Sequence, residues 1–270
     1  NKKVVFIGSD LGPNVLKNFK KNFPSRFFME GAAEQHIISM ACGMAQEGFI
    51  PYVNTIATFL TRRCFEQISL NMGLQKTKIR LIANGGGLVY APLGPTHLAI
   101  DDISIMRTVP NMTILVPADA TEMHKLMQET INYPGPIYIR VAKGGDPIVT
   151  DGLYKKFKIG KSYKIGKEKE VMIITTGITL NIALKVRETL NRDGFKIGII
   201  HVPTVKPLNQ KQLYNFTKDS SFIITIEEQS IVGGLGGSVS EMLMEKKLKK
   251  LKKFKRIGWP DIFPEGYGRQ

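Results

Sequence analysis

Cysteine, tryptophan and histidine are scarce in this 270-residue chain, at two, one and four residues respectively. Cys42 and Cys64 stand far apart with no CxxC spacing, which excludes a disulfide-stapled scaffold and a cysteine-rich zinc site. Both fall in apolar helical patterns, so they read as small buried hydrophobes, and a reducing, cytoplasmic setting is expected. No apolar run approaches the roughly 18 residues of a membrane span, so no membrane association is expected. The run Val4-Val5-Phe6-Ile7 is too short for the core of a secretory leader. Acidic residues are also in short supply, 23 against 38 Lys and Arg, which leaves a formal charge of +15. Such a surplus suits anionic partners: phosphorylated substrates, an acidic subunit or nucleic acid. The densest basic stretch, 246–256, interleaves Leu248, Leu251 and Phe254 in steps of three, as a solvated helical end leading into an edge strand does. It lacks the aromatic stacking platform of a single-strand binder, and no nucleic-acid partner is expected.

Apolar content is ample, at 43%, and the length suits one large domain or two ordinary ones. Short apolar runs alternate with amphipathic stretches along most of the chain. Strands are expected at 4–7, 26–29, 51–56, 79–83, 113–116 and 137–141. Helices are expected from Pro13 to about Asn22, then over 34–46, 58–74 and 119–131. In the stretch 58–74, Leu60, Cys64, Ile68 and Met72 recur in steps of four. Composition shifts near 146–169, where Lys and Gly dominate. A second alternating unit follows, with strands at 171–175, 197–202, 222–227 and 254–257 and helices at 179–191, 209–217 and from about Gly236. The expectation is an α/β protein of two doubly wound, mainly parallel sheets, with domains at 1–148 and 169–270 joined by a linker at 149–168.

Three stretches invite a chemical reading. Glu30-Gly31-Ala32-Ala33-Glu34-Gln35-His36 places a carboxylate where a strand gives way to a helix, between residues too small to shield it from a ligand. Taken alone, Glu34 is most simply a helix N-terminal charge. Residues 84–97 form a long loop rich in Gly and Pro, and long loops in compact domains are often functional. Gly233-Gly234-Leu235-Gly236-Gly237 opens a helix after a strand, a place for a phosphate. It is not a clean GxGxxG, and close helix–sheet packing accounts for it better.

Several motifs then line up in order: Gly31-Ala32-Ala33-Glu34-Gln35-His36; Thr58-Phe59-Leu60-Thr61-Arg62-Arg63-Cys64-Phe65-Glu66-Gln67-Ile68; Gly94-Pro95-Thr96-His97; Met106-Arg107-Thr108-Val109-Pro110-Asn111-Met112; and Pro117-Ala118-Asp119. Together they resemble the C-terminal part of the transketolase family, including the related deoxyxylulose-phosphate synthases. The second unit continues the resemblance with Lys206-Pro207-Leu208, Glu227-Glu228 and Gly233-Gly234-Leu235-Gly236. The family's diphosphate- and Mg²⁺-binding mark, Gly-Asp-Gly followed by an Asn, does not occur in the chain. The resemblance therefore implies the C-terminal subunit of a split enzyme: a pyrimidine-binding domain plus the family's C-terminal domain. Such a chain is inactive without an N-terminal subunit that carries the diphosphate-binding domain and holds the Mg²⁺ of thiamine diphosphate. A dimer of this chain within a heterotetramer is the implied assembly.

The same resemblance assigns roles. Glu34 would hydrogen-bond a ring nitrogen of the cofactor's aminopyrimidine and take part in proton transfer. Phe59 is the first choice for the ring stacked on the pyrimidine and Phe65 the second, because the Thr61-Arg62-Arg63-Cys64 stretch runs one residue longer than in many relatives. His97 would face the substrate. Lys143 stands where relatives often carry an Arg for the substrate phosphate, with Arg62, Arg63 and Arg140 as lesser candidates. Asn14 falls near a phosphate-binding Ser position. Two departures touch the substrate. Leu93 stands where transketolases usually place an Asp before Gly-Pro-Thr-His, and Asn84-Gly85-Gly86 stands where they carry an earlier His. A site lacking that acid and that imidazole reads different hydroxyls, so a modified, deoxy or nucleotide-linked sugar is expected in place of a standard pentose phosphate. Alternatives are a deoxyxylulose-phosphate-synthase-like carboligase subunit and a non-catalytic scaffold of the same fold; a 2-oxoacid dehydrogenase beta subunit fits the Thr-Phe-Leu-Thr-Arg-Arg stretch poorly.

Overall fold

A computed structural model describes residues 1–9, 16–142, 144–265 and 268. The elements follow in order β1 (Val4–Gly8), α1 (Lys17–Asn22), β2 (Phe27–Met29), α2 (Glu34–Gln46), β3 (Ile50–Ile56), α3 (Phe65–Gln67), β4 (Arg80–Asn84), α4 (Asp102–Thr108), β5 (Thr113–Leu115), α5 (Ala120–Thr130) and β6 (Ile137–Val141). The second unit adds β7 (Tyr163–Ile165), β8 (Val171–Thr175), α6 (Thr179–Arg192), β9 (Ile197–His201), β10 (Thr204–Lys206), α7 (Gln210–Thr217), β11 (Phe222–Ser230), α8 (Leu235–Lys246) and β12 (Lys253–Trp259).

Two sheets result, with strand orders β10-β5-β6-β4-β3-β1-β2 and β12-β11-β8-β9-β7. Every pairing is parallel except β10 with β5 and β7 with β9. This is the α/β architecture that the alternating pattern implies. In the first unit α2 lays Ile37, Ile38, Ala41 and Cys42 on the sheet, the spacing of one helical face. Gly48, at φ +86, follows its last turn in the left-handed conformation that ends many helices.

The stretch expected as one helix over 58–74 is helical but not uniformly α. Phe59–Arg63 and Ile68–Leu74 are π-helical, with α3 as a single α turn between them. Leu60, Cys64, Ile68 and Met72 are all fully buried. A step of four keeps one apolar stripe facing the sheet in either helix type, so the apolar pattern does not tell them apart. π turns absorb an extra residue and are frequent at functional sites.

The two units are bolted together. β10 comes from the second half of the chain yet forms the edge of the first sheet, antiparallel to β5. Buried His201 on β9 meets buried Glu122 on α5 at 2.9 Å. Arg140 on β6 reaches the carboxylate of Asp102 at 2.9 Å and the Glu228 carbonyl of β11 at 2.7 Å. Phe157, within the expected linker, packs into the core with Leu115, Leu126, Ile137 and Ile139. Asp119 caps α5 and also accepts the backbone N–H groups of Val149 and Thr150, each at 2.7 Å, so the chain leaving β6 is tied back to the start of α5. Cys42 and Cys64 are buried and unpaired; burial pushes both thiols up to about 12. No described helix is long and apolar enough to cross a membrane.

Candidate active site

Glu34 is the first residue of α2, immediately after the turn that follows β2. Ala33 precedes it without a capping side chain, so the helix start leaves the Glu34 carboxylate free to point elsewhere. It is 3% exposed and accepts a hydrogen bond at its Oε2 from Arg63 Nη1 at 2.9 Å. No described residue is bonded to Oε1. Arg63 is 48% exposed, and its guanidinium carbon lies 4.2 Å from the centre of the Phe59 ring. Phe59 in turn meets His97 edge-on, ring centres 5.2 Å apart. His97 Nδ1 and Thr96 Oγ1 are 2.9 Å apart, which fixes the imidazole's orientation. Glu34, Arg63, Phe59 and His97 thus form one continuous row. They come from α2, the first π turn and the 84–97 loop.

The π turn makes this row. Gln35 Nε2 donates to the Arg63 carbonyl at 2.9 Å, clipping the turn to α2. The Cys64 thiol donates to the Phe59 carbonyl at 3.5 Å. Thr58 Oγ1, one residue before Phe59, is buried and has no hydrogen-bond partner among the described residues.

The loop after β4 is built by close approach at three consecutive glycines. An added Cβ at Gly85 would lie 2.0 Å from the Tyr90 ring, one at Gly86 2.5 Å from Arg140, and one at Gly87 2.3 Å from the Glu228 carboxylate. Gly85 also has φ +77, a conformation that only glycine adopts freely. Pairing between Gly87 and Ala99 at 3.0 and 3.1 Å closes the loop. His97 is thereby held at the mouth of a loop whose base rests on both units of the fold.

The other expected site residues distribute as follows. Arg62 makes a two-pronged contact with Asp101, at 2.9 and 3.1 Å. Arg140 is buried, with its guanidinium engaged by Asp102, Ala99 and Glu228. Phe65 is 40% exposed and shares no ring contact with Phe59 or His97 among the described residues. Asn14 and Lys143 lie outside the described residues. The N-terminus of α8 is filled from within: Leu235 and Gly236 donate their backbone N–H groups to the Glu227 carboxylate at 2.6 and 2.7 Å. That answers the glycine-rich stretch 233–237 with packing. Burial pushes the Glu227 carboxyl up to about 7 against the pull of those two N–H groups. Among the described residues no group of three or more His, Cys, Asp or Glu side chains is placed to hold a metal ion. Sequence reading missed Tyr90, whose ring lies over Gly85 and edge-on to His97, 6.5 Å between centres. Its only signal was a large aromatic in a loop otherwise made of small residues.

Comparison with known proteins points to one family. Residues 1–145 match the family model for the transketolase pyrimidine binding domain, and residues 160–270 match that for the transketolase C-terminal domain. A Methanocaldococcus jannaschii protein that carries the name putative transketolase C-terminal section is 32% identical over 96% of this chain and 81% of its own length. A 1-deoxy-D-xylulose-5-phosphate synthase of Dictyoglomus turgidum is 38% identical over 93% of this chain, which spans only 40% of that enzyme. Among solved structures, one described as "Split gene transketolase, inactive beta4 tetramer" superposes with a TM-score of 0.87 at 31% identity, covering 98% of this chain and 85% of that one. The chain belongs to the transketolase family, as a two-domain chain of the family's pyrimidine-binding and C-terminal type.

Proposed function

We propose that the chain is the C-terminal subunit of a split, thiamine-diphosphate-dependent enzyme of the transketolase type. It moves a two-carbon ketol unit between sugars or sugar phosphates, and only in company with an N-terminal subunit that binds the diphosphate and Mg²⁺. The observation that carries the reading is the row itself. A buried carboxylate, one oxygen of which is bonded to no described residue, is joined through Arg63 to an aromatic ring and then to an imidazole. These residues fit the pyrimidine half of the cofactor. They offer an acid–base group for a ring nitrogen and an aromatic surface for the ring, and the sequence contains no Gly-Asp-Gly for the diphosphate.

When bound, thiamine diphosphate supplies the electron sink for the two-carbon unit. The chain's own residues do the rest. Glu34 Oε1 accepts or shares a proton at the pyrimidine nitrogen, a role worth about 10²–10⁴ in rate. Arg63 engages the other oxygen and so fixes which one faces the ring. Phe59 sets the plane of the ring and excludes water from it. His97, steadied by Thr96, exchanges protons with substrate hydroxyls. Phe65 remains the second choice for stacking. Asn14, Lys143, Arg62 and Arg63 remain candidates for an anionic substrate group, with the ion pair to Asp101 standing against Arg62.

The site is completed across a subunit boundary, so the assembly is two copies of this chain with two of its partner. The split-gene relative, described as an inactive tetramer of one subunit type, supports the need for a second subunit type. With Leu93 and Gly85 in place of an acid and an imidazole, the sugar differs from standard pentose phosphates. A deoxyxylulose-phosphate-synthase-like carboligase is the second reading, favoured by the 38% identity to an enzyme of that name. The test is reconstitution with a neighbouring-gene chain that carries Gly-Asp-Gly and its Asn. The expected result is ketol transfer on a sugar panel by the mixture alone, with poor turnover of xylulose and ribose phosphates. Pyruvate consumption would favour the second reading. A mixture that binds no thiamine diphosphate would support a scaffold instead.

A further inference from the structure

We infer that Tyr90 is a specificity-determining residue that reads a neutral hydroxyl-bearing carbon of the sugar, with Gly85 present to make room for its ring. The inference rests on the proposed function, since the sugar is placed only by the cofactor that Glu34 and Phe59 would hold.

The geometry is that of a wall. The planar groups of Arg63, Phe59, His97 and Tyr90 follow one another at 4.2, 5.2 and 6.5 Å. The pyrimidine lies at the Glu34 end, so the substrate lies toward His97 and Tyr90. Tyr90 is no loose loop residue. Its ring edge lies so close to Gly85 that a Cβ there would come within 2.0, 2.3 and 3.1 Å of three ring atoms. Its carbonyl accepts the Leu93 N–H at 2.8 Å in the short helical turn Ala91–Leu93. Alanine at Gly85 would need both φ +77 and the space the ring occupies, so the two residues form one unit.

The ring is fixed, yet its hydroxyl has no partner among the described residues, and the side chain is only half-buried. A phenol held in this way presents a flat face that suits the C–H side of a sugar, and an O–H that both donates and accepts. Burial pushes the phenol above its ordinary range, so it stays neutral at physiological pH. Arg140 and Arg62 are engaged elsewhere, Arg140 by Asp102 and the Glu228 carbonyl and Arg62 by Asp101, and Arg63 holds Glu34 at the far end of the row. A neutral phenol reads a hydroxyl better than a phosphate or carboxylate. Leu93, in the same turn, adds an apolar neighbour.

The experiment uses the reconstituted pair and sugars that differ by one hydroxyl. Ribose 5-phosphate and 2-deoxyribose 5-phosphate serve as acceptors, with hydroxypyruvate as donor, and ketose donors are taken each with a matching deoxy sugar. The expected result is that the wild-type pair prefers the hydroxylated member of at least one couple. Tyr90→Phe should cut that preference about tenfold, near the upper end of one neutral hydrogen bond. The loss should appear in KM more than in kcat, with thiamine diphosphate affinity and melting temperature unmoved. Gly85→Ala should reproduce the loss by displacing the ring with the hydroxyl still present. A wild-type pair with no preference on any couple, or a Tyr90→Phe preference equal to wild type on every couple, would overturn the inference. So would a fall in cofactor affinity that matches the loss of turnover. A wild-type pair that binds no thiamine diphosphate would instead overturn the proposed function, and this inference with it.

Discussion

Glu34 and Glu227 are glutamates buried to the same degree, 3% and 4% exposed, and each lies beside the start of a helix. Their oxygens have different fates. Glu227 gives both to the first N–H groups of α8, the four-donor deficit that every helix start must meet. Glu34 gives none to its own helix; one oxygen holds Arg63 and the other is bonded to no described residue. The same residue type closes one helix start and leaves the other open for chemistry. Burial alone does not separate the two; the number of bonds each carboxylate already makes does.

The comparison can be broken by substitution, and the largest effect belongs to Glu34. In the reconstituted pair, Glu34→Ala should lower ketol transfer by about 10²–10⁴, the range of a lost acid–base group. The melting temperature of the chain should shift little, since the Arg63 left without its partner is half-exposed and stays solvated. Near-normal turnover would refute the role.

Glu227 should behave in the reverse way. Glu227→Ala leaves two N–H groups without their acceptor and should cost about 2–6 kcal/mol in denaturant unfolding, at roughly 1–3 kcal/mol for each buried unsatisfied group. The folded state holds the Glu227 proton more tightly than the unfolded chain does, because its carboxyl titrates near 7 instead of 4.5. Its contribution is therefore most favourable below about pH 4.5 and is lost as pH rises toward 7. Glu227→Gln should flatten that slope, and an unchanged slope would contradict the assignment. Asp119 gives the opposite sign. Burial raises its carboxyl, but the bonds from Glu122, Thr150 and Val149 outweigh that and hold it below its ordinary range, so its share is present above that range and lost on acidification.

Smaller effects sharpen the contrast. Phe59→Ala should weaken thiamine diphosphate binding to the pair about tenfold, read by titration, from the loss of one aromatic stacking contact. Arg62→Ala should change stability by less than about 1 kcal/mol, because its pair with Asp101 is exposed on both sides. A large loss of turnover there would return Arg62 to the substrate site.

Much of the frame was legible in the pattern of residues. The runs 137–141 and 171–175 are strands over those same residues, since short apolar runs bounded by turn residues leave little choice. β10 was not legible: three residues set between Pro203 and Pro207 give no period to read, and the strand exists because β5 offers an edge. α4 was missed because its burial depends on Asp102 meeting Arg140 and Tyr138 from a distant strand. At the site, Glu34, Phe59 and His97 were nameable from motifs. That Phe59–Arg63 winds as a π turn, and that Arg63 then lands on both Glu34 and Phe59, depends on three-dimensional approach. The Tyr90–Gly85 contact is hidden for the same reason.

The most direct test is a titration of thiamine diphosphate, with Mg²⁺, into this chain alone, into its partner alone and into the mixture. A shared site predicts that the mixture binds far more tightly than either chain alone, and that Phe59→Ala and Glu34→Ala weaken only the mixture. Equal binding by the partner alone, insensitive to both substitutions in this chain, would contradict the claim that residues 34–97 form the pyrimidine half of that site.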